Sequence, residues 1–167
     1  MIKQRIHLLL SGLLLLTHQV MADNSQLAPD FTDELLTPYL SIHDALAADD
    51  LEAAKAGASA FLKAIDTAPK DAALPGQLDQ LTKPARELSE ATDIKSARAA
   101  FLTLSDKLIP LVKKSGSSRH GSLYLAHCPM ANGGKGGDWI QTDEAVENPY
   151  YGKMMLRCGS TKAISGK

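Results

Sequence analysis

The chain has 167 residues, of which 22% are charged, and its 18 Lys and Arg against 19 Asp and Glu give a formal net charge of −1. So even a balance offers no electrostatic drive toward nucleic acid or anionic lipid, which sets those partner classes aside. With 44% hydrophobic but only 5% aromatic residues, the chain has material for one modest core rather than several.

In chain order, residues 1–22 (MIKQRIHLLLSGLLLLTHQVMA) come first. Lys3 and Arg5 form a basic start, Leu8 to Leu16 an apolar run, and Val20-Met21-Ala22 a small-residue cleavage site. That run is about nine residues long, against roughly 20 needed to cross a bilayer, so the segment reads as a secretory signal peptide rather than a stable membrane insertion. An uncleaved anchor is the alternative. Cleavage after Ala22 leaves 145 residues with 16 basic and 19 acidic side chains, exported to the periplasm.

Residues 23–116 predict four amphipathic helices. Leu35, Tyr39, Ile42 and Leu46 mark the first, which Pro38 interrupts unless the regular helix begins there with Thr37 as cap. Asp49-Asp50 cap a second helix, in which Leu51, Ala54, Ala58, Phe61, Leu62 and Ile65 share a face, ending near Ala68-Pro69. The third, from about Gln77 to Ala91, contains Pro84, which predicts a kink or a split. The fourth starts at Asp93 and repeats Ile94, Ala97, Phe101, Leu104, Leu108, Leu111, with Lys113 and Lys114 near its C-terminal end and Gly116 as its stop. Four such helices on short loops, each with one apolar stripe, predict a mainly α protein built on an antiparallel four-helix bundle. His43, beside the first stripe, reads as a packed or surface residue.

Residues 117–167 change character. Both cysteines, three of the five methionines and the only tryptophan fall between His127 and Gly159. Ser122 to Ala126 predicts one short strand and Met154 to Cys158 another, with turns at Gly133 to Gly137 and at Asn148-Pro149. A hairpin of this kind brings Cys128 and Cys158 together. Strand alternation then puts Met154 and Cys158 on one face and Met155 and Arg157 on the other, and Met130 on the face of Cys128.

Thiolate and thioether donors suit Cu(I), and to a lesser degree Ag(I). The candidate site is therefore Cys128 and Cys158 with one methionine, His127 being a substitute ligand. Zinc is a rival that calls for four ligands, here the cysteines, His127 and His120. The opposing reading is a disulfide, common in exported domains, which over a loop of about 30 residues contributes roughly 3 to 4 kcal/mol. Methionine is also a frequent filler of irregular cores. Trp139 and Tyr150-Tyr151 either cover the sulfur site or fill the space between tail and helices.

No catalytic set emerges: His127 and Cys128 are adjacent, so their side chains diverge on an extended backbone, and Asp143-Glu144 sit in an exposed turn. Gly133-Gly134-Lys135-Gly136-Gly137 lacks the Gly-Lys-Ser/Thr ending of a phosphate loop. Nor is there a close Cys-x-x-Cys pair of the thiol-disulfide oxidoreductase kind.

The ordered elements HCPMA, GGDWIQ and NPYYGKMMLRCG resemble the tail of a bacterial periplasmic domain of unknown function. That domain occurs alone or joined to adaptor subunits of CusB-type heavy-metal efflux pumps. The resemblance implies copper or silver traffic, with efflux or other periplasmic metal-handling proteins as partners. Carried over, its motif cysteines are Cys128 and Cys158, its methionines Met130 and one of Met154 or Met155, and its shaping residues Trp139, Asn148, Pro149, Tyr150 and Gly152. The chain departs from the adaptors in having neither an adaptor hairpin nor a second Cys-x-x-Cys-Gly-Met block. The expectation is a periplasmic Cu(I) carrier or sensor rather than an enzyme, the alternative being a disulfide-stapled helical module that binds a protein partner.

Overall fold

The computed structural model describes residues 27–69, 76–119 and 121–164; the expected signal peptide and His120 lie outside them. Four helices, α1 (Pro29–Ala47), α2 (Leu51–Asp66), α3 (Asp79–Ser89) and α4 (Ile94–Ser115), precede a tail. The tail contains β1 (Leu123–Cys128), a single turn α5 (Ala131–Gly134), β2 (Gly137–Gln141), a 3-10 turn (Gly152–Met154) and β3 (Ser160–Ile164). The molecule is mainly helical with a small antiparallel sheet in the order β2-β1-β3. No helix among the described residues is long and apolar enough to cross a membrane.

The caps follow local chemistry. Asp50 accepts from Ala53 N at the start of α2, and Asp93 and Ser96 form a reciprocal capping box at the start of α4. Neither the interruption nor the start expected at Pro38 is found: the helix begins at Pro29, nine residues earlier, and runs through Pro38, while Thr37 bonds back to Asp33 O rather than capping. An interior proline costs about 3 kcal/mol. Burying Phe31, Leu35 and Leu36 contributes about 1.5 to 3 kcal/mol each, so the apolar stripe wins. The same balance corrects the expected split at Pro84. α3 is one helix from Asp79 to Ser89, and Leu81, Ala85 and Leu88 on either side of the proline are fully buried.

The second expected strand is also corrected. Met154 to Cys158 forms turns, with Cys158 N bonded to Met155 O, and β1 instead takes its partners from β2 and β3. Gly152 at φ 56° and Gly159 at φ 138° bracket this stretch and take the turn conformations that a side chain would disfavour. β2 evades a search for alternation because Trp139, Ile140 and Gln141 are buried in succession.

Successive helices pack against each other, and β2 lies on α4 and touches α1. Tail and helices share one core: Tyr39, Phe61, Leu88, Phe101 and Leu104 belong to the same buried cluster as Ala126, Cys128, Trp139 and Ile140. Tyr39 fixes the junction. Its hydroxyl bonds Ser105 Oγ at 2.7 Å and receives Ile140 N at 3.2 Å, and burial raises its pKa well above the ordinary value.

Helices α1 and α2 meet closely at Gly57, where an added Cβ would lie 2.9 Å from Ile42 Cγ1 and 3.2 Å from its backbone nitrogen. Replacing Gly57 by Leu should destabilise the protein by about 1 to 3 kcal/mol through overpacking, read as a lower urea midpoint at unchanged slope.

Candidate functional site

Cys128 ends the central strand. The pleat turns its side chain into the core, where it is fully buried, and turns His127 outward. Across the ladder stands Gly137, where a Cβ would crowd Leu102, Tyr150 and Ala131 at 2.8 to 3.1 Å. Cys158 immediately precedes Gly159, whose φ of 138° lets the chain pass against β1; a Cβ there would run into the carbonyl of His127. The result is a pair of free thiols with their sulfurs 3.1 Å apart, drawn from positions 30 residues apart. Cys128 is sealed and Cys158 half-buried. The Cys128 sulfur, and secondarily burial, raise the Cys158 thiol above its ordinary pKa.

The loop that presents Cys158 is organised by Asn148, which is fully buried. Its Oδ1 accepts from the backbone nitrogens of Tyr150 and Tyr151, and its Nδ2 donates to Cys158 O at 2.9 Å. Its own backbone bonds Leu156 O and Gly152 N. A second buried amide, Gln141, receives Trp139 Nε1 and Glu147 N and donates to the carbonyls of Asp143 and Ala145.

Three contacts tie this loop to the helices and the turn between them. Arg98 Nε donates to Pro149 O, while its Nη2 reaches Leu46 O and Asp49 Oδ1 at the α1–α2 turn. Lys153 N bonds the other oxygen of Asp49, and a Cβ on Gly152 would collide with Asp49 and Arg98. His43, buried on α1, donates from Nε2 to Glu147 O at 2.8 Å, with Nδ1 beside Asp44. These helix-to-loop bonds were not legible in the sequence: the partners are 49 to 104 residues apart and follow no short-range spacing.

The remaining expected residues divide sharply. Trp139 is fully buried, meets Tyr150 edge-on at 5.5 Å between centroids, and so fills the core rather than capping a cation. Tyr150 leans on Phe101, which stacks on Tyr39. Tyr150 donates to Asp138 O and Tyr151 to Met130 O. Met130 and Met154, by contrast, are 53% and 75% exposed and stand out as the exposed large hydrophobics among the described residues. Met155 is half-buried. Since Met154 sits in a 3-10 turn, the strand alternation expected to align it with Cys158 does not apply. His127 points away from the sulfurs, its Nδ1 2.6 Å from Asp138 Oδ1. Among the described residues no three His, Cys, Asp or Glu side chains converge as a metal-holding group.

A family model described as "Protein of unknown function (DUF3347)" matches residues 35–120, just over half of the chain. The match runs from within α1 past the end of α4 and stops before β1, so the sulfur-bearing tail lies outside it. No curated protein and no solved structure matches the chain.

Exchanging Asn148 for Asp puts a carboxylate against Cys158 O and removes the donor. The variant should lose about 1 to 3 kcal/mol in urea unfolding and show an altered near-ultraviolet signal from Trp139. The Asp49 clamp has a distinct pH signature. The hydrogen bond from Arg98, with further help from Lys153, lowers the Asp49 carboxyl pKa below its ordinary value. Its contribution is therefore complete above the ordinary carboxylate range and disappears as pH falls through the lowered value. Urea midpoints followed from about pH 5 to pH 2 should fall less steeply in Asp49→Asn than in the parent.

Proposed function

The chain belongs to the DUF3347 family of unknown function, and we propose that it is a periplasmic binding protein for Cu(I) or Ag(I), a carrier or sensor and not a catalyst. On this reading the four helices form an antiparallel bundle that serves as scaffold, and the tail holds the ion. The observation that carries the reading is the convergence of two cysteine sulfurs to 3.1 Å beside a tail whose methionines Met130 and Met154 face solvent. A methionine that only filled a core would be covered, whereas an exposed thioether is available to a soft ion.

The thiol pair fits such an ion. A metal–thiolate bond of about 2.3 Å lets two sulfurs on one ion stand up to about 4.6 Å apart, so the pair needs to open by no more than about 1.5 Å. Cys128 and Cys158 supply the thiolates, with Met130 or Met154 as a third donor. His127 enters only if its ring leaves Asp138. Zinc, which prefers four ligands, has less support from these donors. The export signal read in residues 1–22 supplies the periplasmic setting, and the resemblance of the tail to domains joined to efflux adaptors points to metal efflux or resistance.

A second reading has its own observation: 3.1 Å is also about 1 Å from a disulfide bond. In that case the bridge locks the tail, and the module binds a protein partner through surfaces other than the fully buried Trp139. Anaerobic titration of the reduced chain with Cu(I), competed against a chromophoric Cu(I) chelator, separates the two. One equivalent should be retained. Cys128→Ser with Cys158→Ser should weaken retention by more than the roughly 10–100-fold typical of outer-shell changes. Unchanged retention in the double variant would overturn the metal reading. Met130→Ala and Met154→Ala, both at exposed positions, should leave the unfolding midpoint in place, and the one that removes the third donor should lower Cu(I) retention.

A further inference from the structure

The two cysteines differ in access. Cys128 is sealed in the core at the end of the central strand, Cys158 is half-buried in the loop before β3, and 3.1 Å separates their sulfurs. Both backbones are anchored: Cys128 by the β1 ladder, Cys158 by Asn148 Nδ2 at its carbonyl and Met155 O at its nitrogen. A disulfide is about 2.05 Å long, so closing the pair takes about 1 Å of sulfur movement, within reach of side-chain rotation. Opening it onto an ion takes a movement of similar size in the other direction. The geometry thus lies between two mutually exclusive states, because a sulfur committed to a disulfide is no longer a thiolate ligand.

We propose that this pair is an oxidant-gated site, which a low-molecular-weight disulfide closes into a Cys128–Cys158 bridge that excludes the soft metal ion. The metal half of the proposal rests on the function proposed above; the exchange half does not. Cys158, the accessible thiol, loses its proton to solvent and attacks one sulfur of the small disulfide. A mixed disulfide forms, and the other half leaves as a thiolate that takes up a proton. Cys128 then loses its proton and attacks Cys158 Sγ, expelling the second small thiolate, which is protonated in turn. Two protein thiols are oxidised by two electrons, and one small disulfide is reduced to two thiols. The order is fixed by access: an external reagent reaches Cys158, and Cys128 has only Cys158 within reach.

The test treats the purified, reduced, metal-free chain with glutathione disulfide. Expected are loss of both thiols without covalent dimers, accumulation of a glutathione mixed disulfide in Cys128→Ser, and far slower reaction of Cys158→Ser. Alkylation of the unmutated chain followed by peptide mass mapping gives the same order without substitution: Cys158 should be labelled before Cys128. On the Cu(I)-loaded chain the reagent should release the ion to a chelator, and reduction by dithiothreitol should restore uptake. Covalent dimers, a mixed disulfide that persists in the unmutated chain, or first labelling at Cys128 would overturn the proposal. So would Cu(I) retained after closure. If the bridge closes in order but the reduced chain never takes up Cu(I), the metal reading fails while the exchange chemistry stands.

Discussion

A buried amide must be satisfied, and the way Asn148 is satisfied helps to hold Cys158 in place at the entry to β3. Leaving such a group unpaired costs about 1 to 3 kcal/mol. Its Oδ1 gathers the next two backbone nitrogens, and its Nδ2 holds the carbonyl of Cys158. The loop is thereby folded back on itself, with Gly152 pressed against the Asp49–Arg98 pair and Gly159 against β1. Two distant cysteines meet because β1 and β3 pair with His127 opposite Ser160, one and two residues from the cysteines, and because the polar contacts of Asn148 hold the loop that precedes β3.

The helices were legible because each one answers a local rule. Apolar residues recur at three and four, Asp50 and Asp93 cap, and Gly116 ends α4. The errors arose where a local rule met a larger opposing one. The sequence predicts an interruption or a start at Pro38 and a kink or a split at Pro84, but in both places one helix continues through the proline, the buried face outweighing the missing donor. The pairing of Cys128 with Cys158 was anticipated from two turns and two strands, yet one of those strands is a run of turns and the partner strands lie elsewhere. Trp139-Ile140-Gln141 has no strand signature because a strand buried on both faces carries no alternating pattern, and Ser160–Ile164 has none because it is mostly exposed and holds a single large apolar residue, Ile164. The polar contacts of Asn148, Gln141, Arg98 and His43 have no sequence signature.

The division of labour follows from this arrangement. The family match covers the helices from Leu35 onward, and the cysteines lie beyond it, so the family match and the candidate site concern different parts of one chain that share a core. They are coupled physically, since Phe101 on α4 contacts Tyr150 of the cysteine-bearing loop and Tyr39 on α1 binds the backbone of β2. Cys128 itself belongs to that shared core, in one buried cluster with Phe101, Tyr39 and Trp139.

That coupling gives the lone indole a use of its own. Trp139 is the only tryptophan in the chain, lies wholly out of water, pairs across the ladder with Ala126 two residues from Cys128, and donates its N–H to Gln141. Its emission therefore arises from a single buried environment, on the strand that pairs with the one ending in Cys128. The protein thus carries one optical reporter, seated where tail and helices share a core, and the packing of that junction can be followed without a label in the intact chain.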